Sequence, residues 1–265
     1  MKTIDNFNKD GVVLLKDALP ENKIDTLRIK YDFLNETLEG LDDTKDEPLV
    51  VFWKHVVGET KRTTRLSKFP ELLTFINDNI IPAITSELDV DRLQLLECII
   101  FNKPAMTSNR LNWHQDVSYF PLNPNNQIAV WFPLESVNED RGAMQYALGS
   151  HKLGAVGSTN LHTREPFENE DRPLIPEDPA KAGFEVKVFE MNPTDMLVHD
   201  GYVWHQSGPN IENGYTRRGI SIRFITTKSK FDPRPGQGAS FTSQISVNPG
   251  DYLPDNGPFP VLWKR

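Results

Sequence analysis

The chain has 265 residues, a formal net charge of −8 and a single cysteine, Cys98. That length buries roughly three quarters of the surface an unfolded chain exposes. One cysteine excludes an intrachain disulfide, and the acidic balance excludes the basic face that nonspecific nucleic-acid binding requires. No apolar run approaches the ~20 residues of a membrane span, and the stretch from Met1 to Asp5 lacks the apolar core of a signal peptide. The expectation is therefore a cytoplasmic protein, monomer or homodimer, without nucleic-acid or membrane partners.

In chain order, residues 11–16 (Gly-Val-Val-Leu-Leu-Lys) read as a short strand. Between residues 20 and 40 the apolar positions Ile24, Leu27, Tyr31, Leu34 and Leu38 recur at intervals of three and four, the spacing of one helix face. Leu49 to Trp53 reads as a second β-type run. Residues 69–88, with Leu72, Phe75, Ile76, Ile80 and Ile81, read as helix again, kinked or interrupted by Pro82. From about residue 92 short runs rich in Ile, Val, Phe and Trp recur between turn signals, at 93–102, 116–120, 127–134, 143–148, 184–190, 195–199, 202–207 and 217–227. Short strands repeated without intervening helices predict a mostly β barrel or jelly-roll core with flanking helices packed on its outside. The chain reads as one domain over 1–265: a helical elaboration in 1–90, a β core in 92–227 and a loop-rich tail in 228–265. The polar stretch 155–183, interrupted by Pro166, Pro173, Pro176 and Pro179, predicts a long loop that closes over a pocket mouth when substrate binds.

Residues that carry chemistry gather in two places. Asn112-Trp113-His114-Gln115-Asp116 contains a His-x-Asp, whose outer residues project to one side of an extended chain. Such a pair arises by chance in many proteins. It gains meaning from Val203-Trp204-His205-Gln206-Ser207, about ninety residues later, and from Arg217, twelve residues beyond His205. Two imidazoles and one carboxylate make the facial set that holds Fe(II) and leaves three positions open. Two of those suit the 2-oxo acid end of 2-oxoglutarate and the third suits O2. A planar guanidinium suits the far carboxylate of that co-substrate, because its fork engages two oxygens at once.

The same residues carry a resemblance. Trp113 to Asp116 are similar to the first-ligand segment of the phytanoyl-CoA dioxygenase family of Fe(II)/2-oxoglutarate-dependent oxygenases. Asn138 to Gln145, then Leu148-Gly149-Ser150-His151-Lys152, resemble a further segment of that family, with Leu148 where proline is common. His205-Gln206-Ser207 and Arg217-Arg218-Gly219-Ile220-Ser221 resemble its second-ligand and arginine segments, so the likeness spans roughly residues 8 to 227. It implies a double-stranded β-helix (jelly-roll, cupin-like) core, with His114, Asp116 and His205 on the metal. It also implies hydroxylation of a small-molecule substrate, with 2-oxoglutarate converted to succinate and CO2. A metabolite or natural-product intermediate is the expected substrate rather than an acyl-CoA, because no basic cluster suited to CoA phosphates is visible. Asp116 supplies the carboxylate that halogenating relatives lack, which favours hydroxylation; desaturation, cyclisation or epimerisation are the alternatives. Two rivals come from other classes, a zinc hydrolase on the same triad and an inactive small-molecule-binding β-helix. The first leaves Arg217 without a purpose, and the second leaves the complete ligand set without one.

The resemblance aligns Arg217 with the co-substrate arginine, and Trp131 with an aromatic that lines the co-substrate pocket. Arg217, Gly219, Ser221 and Arg223 then share the inward face of one strand, while Arg218, Ile220, Ile222 and Phe224 face the helices. Ser207, two residues after His205, faces the same side and is a candidate hydrogen-bond partner of the co-substrate. Arg223 lies six residues past Arg217, about 20 Å along an extended strand. It is expected at the open mouth beyond the iron, paired with an acidic loop residue or with an anionic group of the substrate. Gln115 is a candidate substrate contact if the chain bends there. His199 competes with His205 as a ligand, although Asp200-Gly201 interrupts the strand between them. His151 is expected to fix its turn, and His55 and His162 to be solvated.

Overall fold

Every residue of Gln127–Pro133 is buried, and so is most of Arg92–Lys103, so these strands must have cover on both faces. The computed structural model shows what supplies it, and describes residues 3–37, 49–53, 61–108, 110–161, 163–233 and 245–265. The larger sheet runs, in spatial order, β1 (Val12–Leu15), β10 (Met196–Asp200), β7 (Gln127–Pro133), β12 (Arg217–Ile225), β4 (Arg92–Lys103), β2 (Leu49–Trp53) and β3 (Lys61–Arg65). A further strand, β14 (Val261–Lys264), also pairs with β4. The smaller sheet is β5 (Leu111–His114), β11 (His205–Ser207), β8 (Met144–Ala147) and β9 (Val186–Phe189). Two short strands, β6 (Leu122–Asn123) and β13 (Lys230–Phe231), pair apart from both.

Alternation along each strand sorts its residues into two cores. Cys98, Ile100, Val130, Phe132, Val198, Ile220, Ile222 and Phe224 leave the larger sheet on its outer face and meet the helices. Those helices are α1 (Thr3–Asp10), α2 (Glu21–Thr37), α3 (Pro70–Phe75) and α4 (Ile81–Glu87). Ile24, Leu27 and Tyr31 of α2 fill the outer core with Leu72, Phe75, Ile81 and Ile84, so the helical spacing read from the sequence is the face that packs. On the inner face Val12, Trp131 and Leu197 meet Met144, Tyr146 and Phe189 of the smaller sheet. Two mostly antiparallel sheets face to face, with helices outside one of them, make the double-stranded β-helix architecture.

Several expectations need correction. Residues 116–120 are not a strand: Asp116–Tyr119 form one 3-10 turn directly after β5. The segment 1–90 is more than a helical elaboration, because β1, β2 and β3 all lie in the larger sheet. Neither α1 nor β3 was legible, since Lys61-Arg62-Thr63-Thr64-Arg65 has no apolar alternation. Pro82 marks a change of helix geometry rather than a break: Ile76–Ile80 widen into a π turn before α4. Proline offers no N–H to the carbonyl four residues back, and a π turn is one way to absorb that loss. The tail contributes β14, and the buried Gln94 amide donates to Pro254 O and Phe259 O at 2.7 Å each. Leu38, His55 and His162 lie outside the described residues. Among the described residues no helix is long and apolar enough to cross a membrane.

Candidate metal centre

The ladder of the smaller sheet brings the two histidines together. His114, the last residue of β5, is the direct antiparallel partner of His205, the first of β11, and their ring centroids lie 4.1 Å apart. Gln115 is extended (φ −122°, ψ 145°), so the chain carries Asp116 to the side of His114 before the 3-10 turn begins. Asp116 Oδ1 lies 3.9 Å from His114 Nε2 and 3.6 Å from His205 Nε2. One ligand atom from each of the three residues falls within 4.8 Å of the others, and all three side chains are buried.

The protonation pattern suits a cation. His114 Nδ1 lies 2.7 Å from Asn112 O, and His205 Nδ1 lies 3.0 Å from Val203 O. A carbonyl only accepts, so each Nδ1 carries the proton and each Nε2 keeps its lone pair toward the centre. Burial pushes both histidines down from their ordinary value, His205 strongly, so both rings are neutral. Burial opposes the charge on Asp116, yet the Arg223 guanidinium, with His205 and His199, holds its carboxyl well below the usual range. Two neutral imidazoles and one carboxylate are a donor set for a divalent metal.

At the far end of the same interior lies a second polar cluster. Arg217 opens β12 on its inward face, as alternation predicts, and is fully buried. Its guanidinium carbon sits 4.7 Å from the Trp131 ring centroid, and its Nη2 donates to Gly142 O at 3.0 Å. Arg217 Nε and Trp131 Nε1 are buried without a hydrogen-bond partner. Directly across the ladder stands Lys103, also fully buried. Its ammonium donates to Ser207 Oγ at 2.8 Å, to Ser207 O at 3.1 Å and to Gly208 O. Among the described residues no carboxylate forms an ion pair with either cation. Burial lowers Arg217 to about 10, and lowers Lys103 well below its ordinary value, with Arg217 adding to the effect. Two buried like charges beside a serine hydroxyl are costly alone and become favourable when a dianionic ligand joins them.

Gly219 makes this cluster possible. A Cβ there would lie 2.5 Å from the Trp131 ring, so only glycine lets the indole lie across the strand next to Arg217. Arg218 points the other way, as expected, toward Asp32 of α2 and Glu135, with its guanidinium over Tyr31.

Two candidate substrate contacts are placed elsewhere. Gln115 is buried and its amide is engaged: Nε2 donates to Gly154 O and Tyr202 O, while Oε1 accepts from Val156 N. The side chain ties loops behind the site and has both amide protons committed there. Arg223 does not reach an open mouth. Its Nη2 donates to Asp116 Oδ1 at 2.8 Å and its Nη1 pairs with Glu97, because the His114–Asp116–His205 cluster itself lies beside that part of β12. Its acidic partners are Asp116 and the facing residue of β4. His199 does face inward, but it stands beside the triad rather than in it: Nε2 lies 3.3 Å from Asp116 Oδ2, and Nδ1 lies 3.0 Å from the Tyr146 hydroxyl. His151 ties its turn to α1, with Nε2 3.2 Å from Asn8 O.

The 155–183 loop does lie at the metal centre, where Gly157, Thr159, Arg164 and Ile175 line a small cleft with Trp113, His114 and Tyr119. Its first part is a fixed wall. Ser118 Oγ donates to Val156 O, Ser158 Oγ to Ser118 O, and the Tyr119 hydroxyl to Thr159 O.

Comparison with known proteins agrees with this geometry. The family described as "Phytanoyl-CoA dioxygenase (PhyH)" matches residues 7–219. The chain belongs to the phytanoyl-CoA dioxygenase family. The human peroxisomal phytanoyl-CoA dioxygenase is 21% identical over 230 residues, covering 83% of this chain and 66% of that protein, just under two thirds of its length. Among solved structures, the epimerase SnoN in complex with Fe3+, α-ketoglutarate and nogalamycin RO superposes with a TM-score of 0.72 at 17% identity, over 98% of this chain and 97% of that one. The carbocyclase SnoK from nogalamycin biosynthesis gives 0.71 at 19% identity, over 98% and 94%. EvdO2 from Micromonospora carbonacea var. aurantiaca, complexed with 2-oxoglutarate, gives 0.61 at 18% identity, over 88% and 93%. These likenesses establish a shared fold with 2-oxoglutarate-dependent non-haem iron enzymes.

Three residues of this family member escaped the sequence reading: Lys103, Glu97 and Tyr146. A signal for the first two was present. Glu97 and Lys103 share one face of β4, six residues apart in a largely apolar run, and mirror Arg217 and Arg223 across the ladder. Tyr146 carried none, since its apolar neighbours make it look like ordinary core.

Proposed function

We propose that this protein is an Fe(II)- and 2-oxoglutarate-dependent oxygenase that hydroxylates a small-molecule metabolite or natural-product intermediate and releases succinate and CO2. The observation that carries the reading is a neutral-His, neutral-His, carboxylate centre in the same interior as two buried cations that no carboxylate among the described residues pairs with. Iron with 2-oxoglutarate and O2 supplies the oxidant that removes hydrogen from a substrate C–H bond. The chain's own part is to hold and exclude. His114, Asp116 and His205 take one face of the metal and leave three positions open. Arg217 and Lys103 neutralise the far carboxylate of 2-oxoglutarate, and the Ser207 hydroxyl, which already accepts from Lys103, donates its proton there. Trp131 forms the wall beside them. Tyr119, Trp113 and Ile175 close the substrate side with the fixed part of the 155–183 loop.

O2-dependent succinate formation from 2-oxoglutarate by the Fe(II)-loaded protein tests this. A protein that binds 2-oxoglutarate but forms no succinate with any substrate in a metabolite extract would return the inactive-module reading. A second reading is supported by the nearly whole-length likeness to an epimerase and a carbocyclase: the same hydrogen removal then ends in desaturation, ring closure or epimerisation. Reaction under 18O2 separates them, because succinate takes one labelled oxygen in every case while only hydroxylation carries label into the product made from the substrate.

A further inference from the structure

Asp116 is the one anion of the triad, and both of its oxygens are already engaged. Oδ1 faces the two histidine Nε2 atoms and accepts from Arg223 Nη2 at 2.8 Å. Oδ2 lies 3.3 Å from His199 Nε2. The direction of that second contact follows from the next one. Tyr146 Oη lies 3.0 Å from His199 Nδ1. Were Nδ1 the protonated nitrogen, the Nε2 lone pair would face the carboxylate. With the phenol donating to Nδ1, the proton sits on Nε2 and points at Asp116 Oδ2. All three residues are buried, and they come from β12, β10 and β8, so strands of both sheets converge on one carboxylate.

We propose that Arg223 and the Tyr146–His199 pair are positioning residues that hold Asp116 as a one-oxygen ligand. His199 retains Oδ2 so that it does not swing onto the metal as a second donor. The consequence is a count of coordination positions. A carboxylate bound through both oxygens would take a fourth position and leave two, too few for a chelating 2-oxo acid and O2 together. Arg223 does the complementary work on Oδ1. Its other arm is anchored on Glu97, so the guanidinium cannot follow the carboxylate if it rotates. The inference rests on the metal-binding part of the proposed function and is independent of which substrate is oxidised.

The test uses Co(II) on the metal-free protein, with affinity measured by competition and the donor set read from the d–d spectrum and from the number of metal-bound waters by water-proton relaxation. Tyr146→Phe removes one oxygen atom and should weaken Co(II) about 10- to 100-fold, the usual cost of losing such a partner, with a shifted d–d spectrum and one bound water fewer. His199→Leu should do the same or more. His199→Gln supplies an amide donor to Oδ2 that needs no help from the phenol, so it should restore the wild-type spectrum. In that background Tyr146→Phe should have no further effect. A role in packing alone predicts additive losses and no rescue by glutamine. Wild-type affinity and spectrum in Tyr146→Phe and His199→Leu would overturn the inference while leaving the triad standing. A wild-type protein that bound no Co(II) would overturn the metal centre, and this inference with it.

Discussion

Arg217 and Arg223 stand six residues apart on the same face of β12, and each meets a different partner across the ladder in β4. Arg223 faces Glu97 and also holds Asp116, so its charge is closed within the protein. Arg217 faces Lys103, a like charge, and among the described residues no carboxylate forms an ion pair with it. One strand pair therefore carries a satisfied cation at one rung and an unsatisfied pair of cations at the other. Burial is nearly complete at both, so exposure does not distinguish them. What distinguishes them is whether the charge balance closes without a ligand. The first rung holds Asp116, the proposed metal ligand; the second is where we propose that an anionic co-substrate binds.

The largest expected effect lies at the satisfied end. Asp116→Ala removes one of three protein ligands and should abolish metal retention and succinate formation together; metal analysis and product assay check both. Metal at full occupancy in that variant would break the assignment of the site. At the unsatisfied end, Arg217→Ala should raise the 2-oxoglutarate requirement by two to three orders of magnitude, the size of losing one partner of a buried charge pair, about 3–5 kcal/mol. Arg218→Ala, on the opposite face, should leave it unchanged. The reverse ranking would mean that the wrong rung has been assigned to the co-substrate.

Stability without ligand sharpens the contrast further. Arg223→Met takes the guanidinium from the buried Asp116 and should destabilise the metal-free protein by about 3–5 kcal/mol. Lys103→Met removes a charge that repels Arg217 and should cost less than about 1 kcal/mol, while shrinking the thermal shift produced by 2-oxoglutarate. Denaturant unfolding of the two variants, with and without 2-oxoglutarate, compares them directly.

The smallest effect is a pH dependence. Both cations of the unsatisfied rung are depressed by burial, Arg217 to about 10 and Lys103 well below its ordinary value. A cation depressed on folding is lost earlier as pH rises, so 2-oxoglutarate should bind more weakly as pH climbs through the lowered Lys103 value toward 10. The sign for folding is the opposite. The cost of burying these charges is present in full below their folded values and is relieved as pH rises through them. In Lys103→Met the lower part of the binding slope should vanish; an unaltered slope would assign it to another group.

The sequence by itself determined which residues could be proposed as ligands and the face of each strand. His114, Asp116, His205 and Arg217 stood out because few residue types hold iron or grip a carboxylate, and because period-two alternation puts Arg217 inward and Arg218 outward once one face is known. Strand and helix positions were legible where apolar periodicity is strong, as in α2, β4 and β12. They were not legible in α1 and β3, where the pattern is polar, nor at Asp116–Tyr119, where a β-rich composition closes into a 3-10 turn. Only the tertiary structure decided which charges meet. Alternation placed Arg223 inward but not beside Asp116, because that contact joins residues 107 positions apart, one on β12 and the other in the 3-10 turn after β5. It could not reveal that Gln115 commits both amide protons to loops, or that Lys103 stands across from Arg217. Register between distant strands sets those partnerships, and it follows from packing of the whole sheet rather than from any local run of residues.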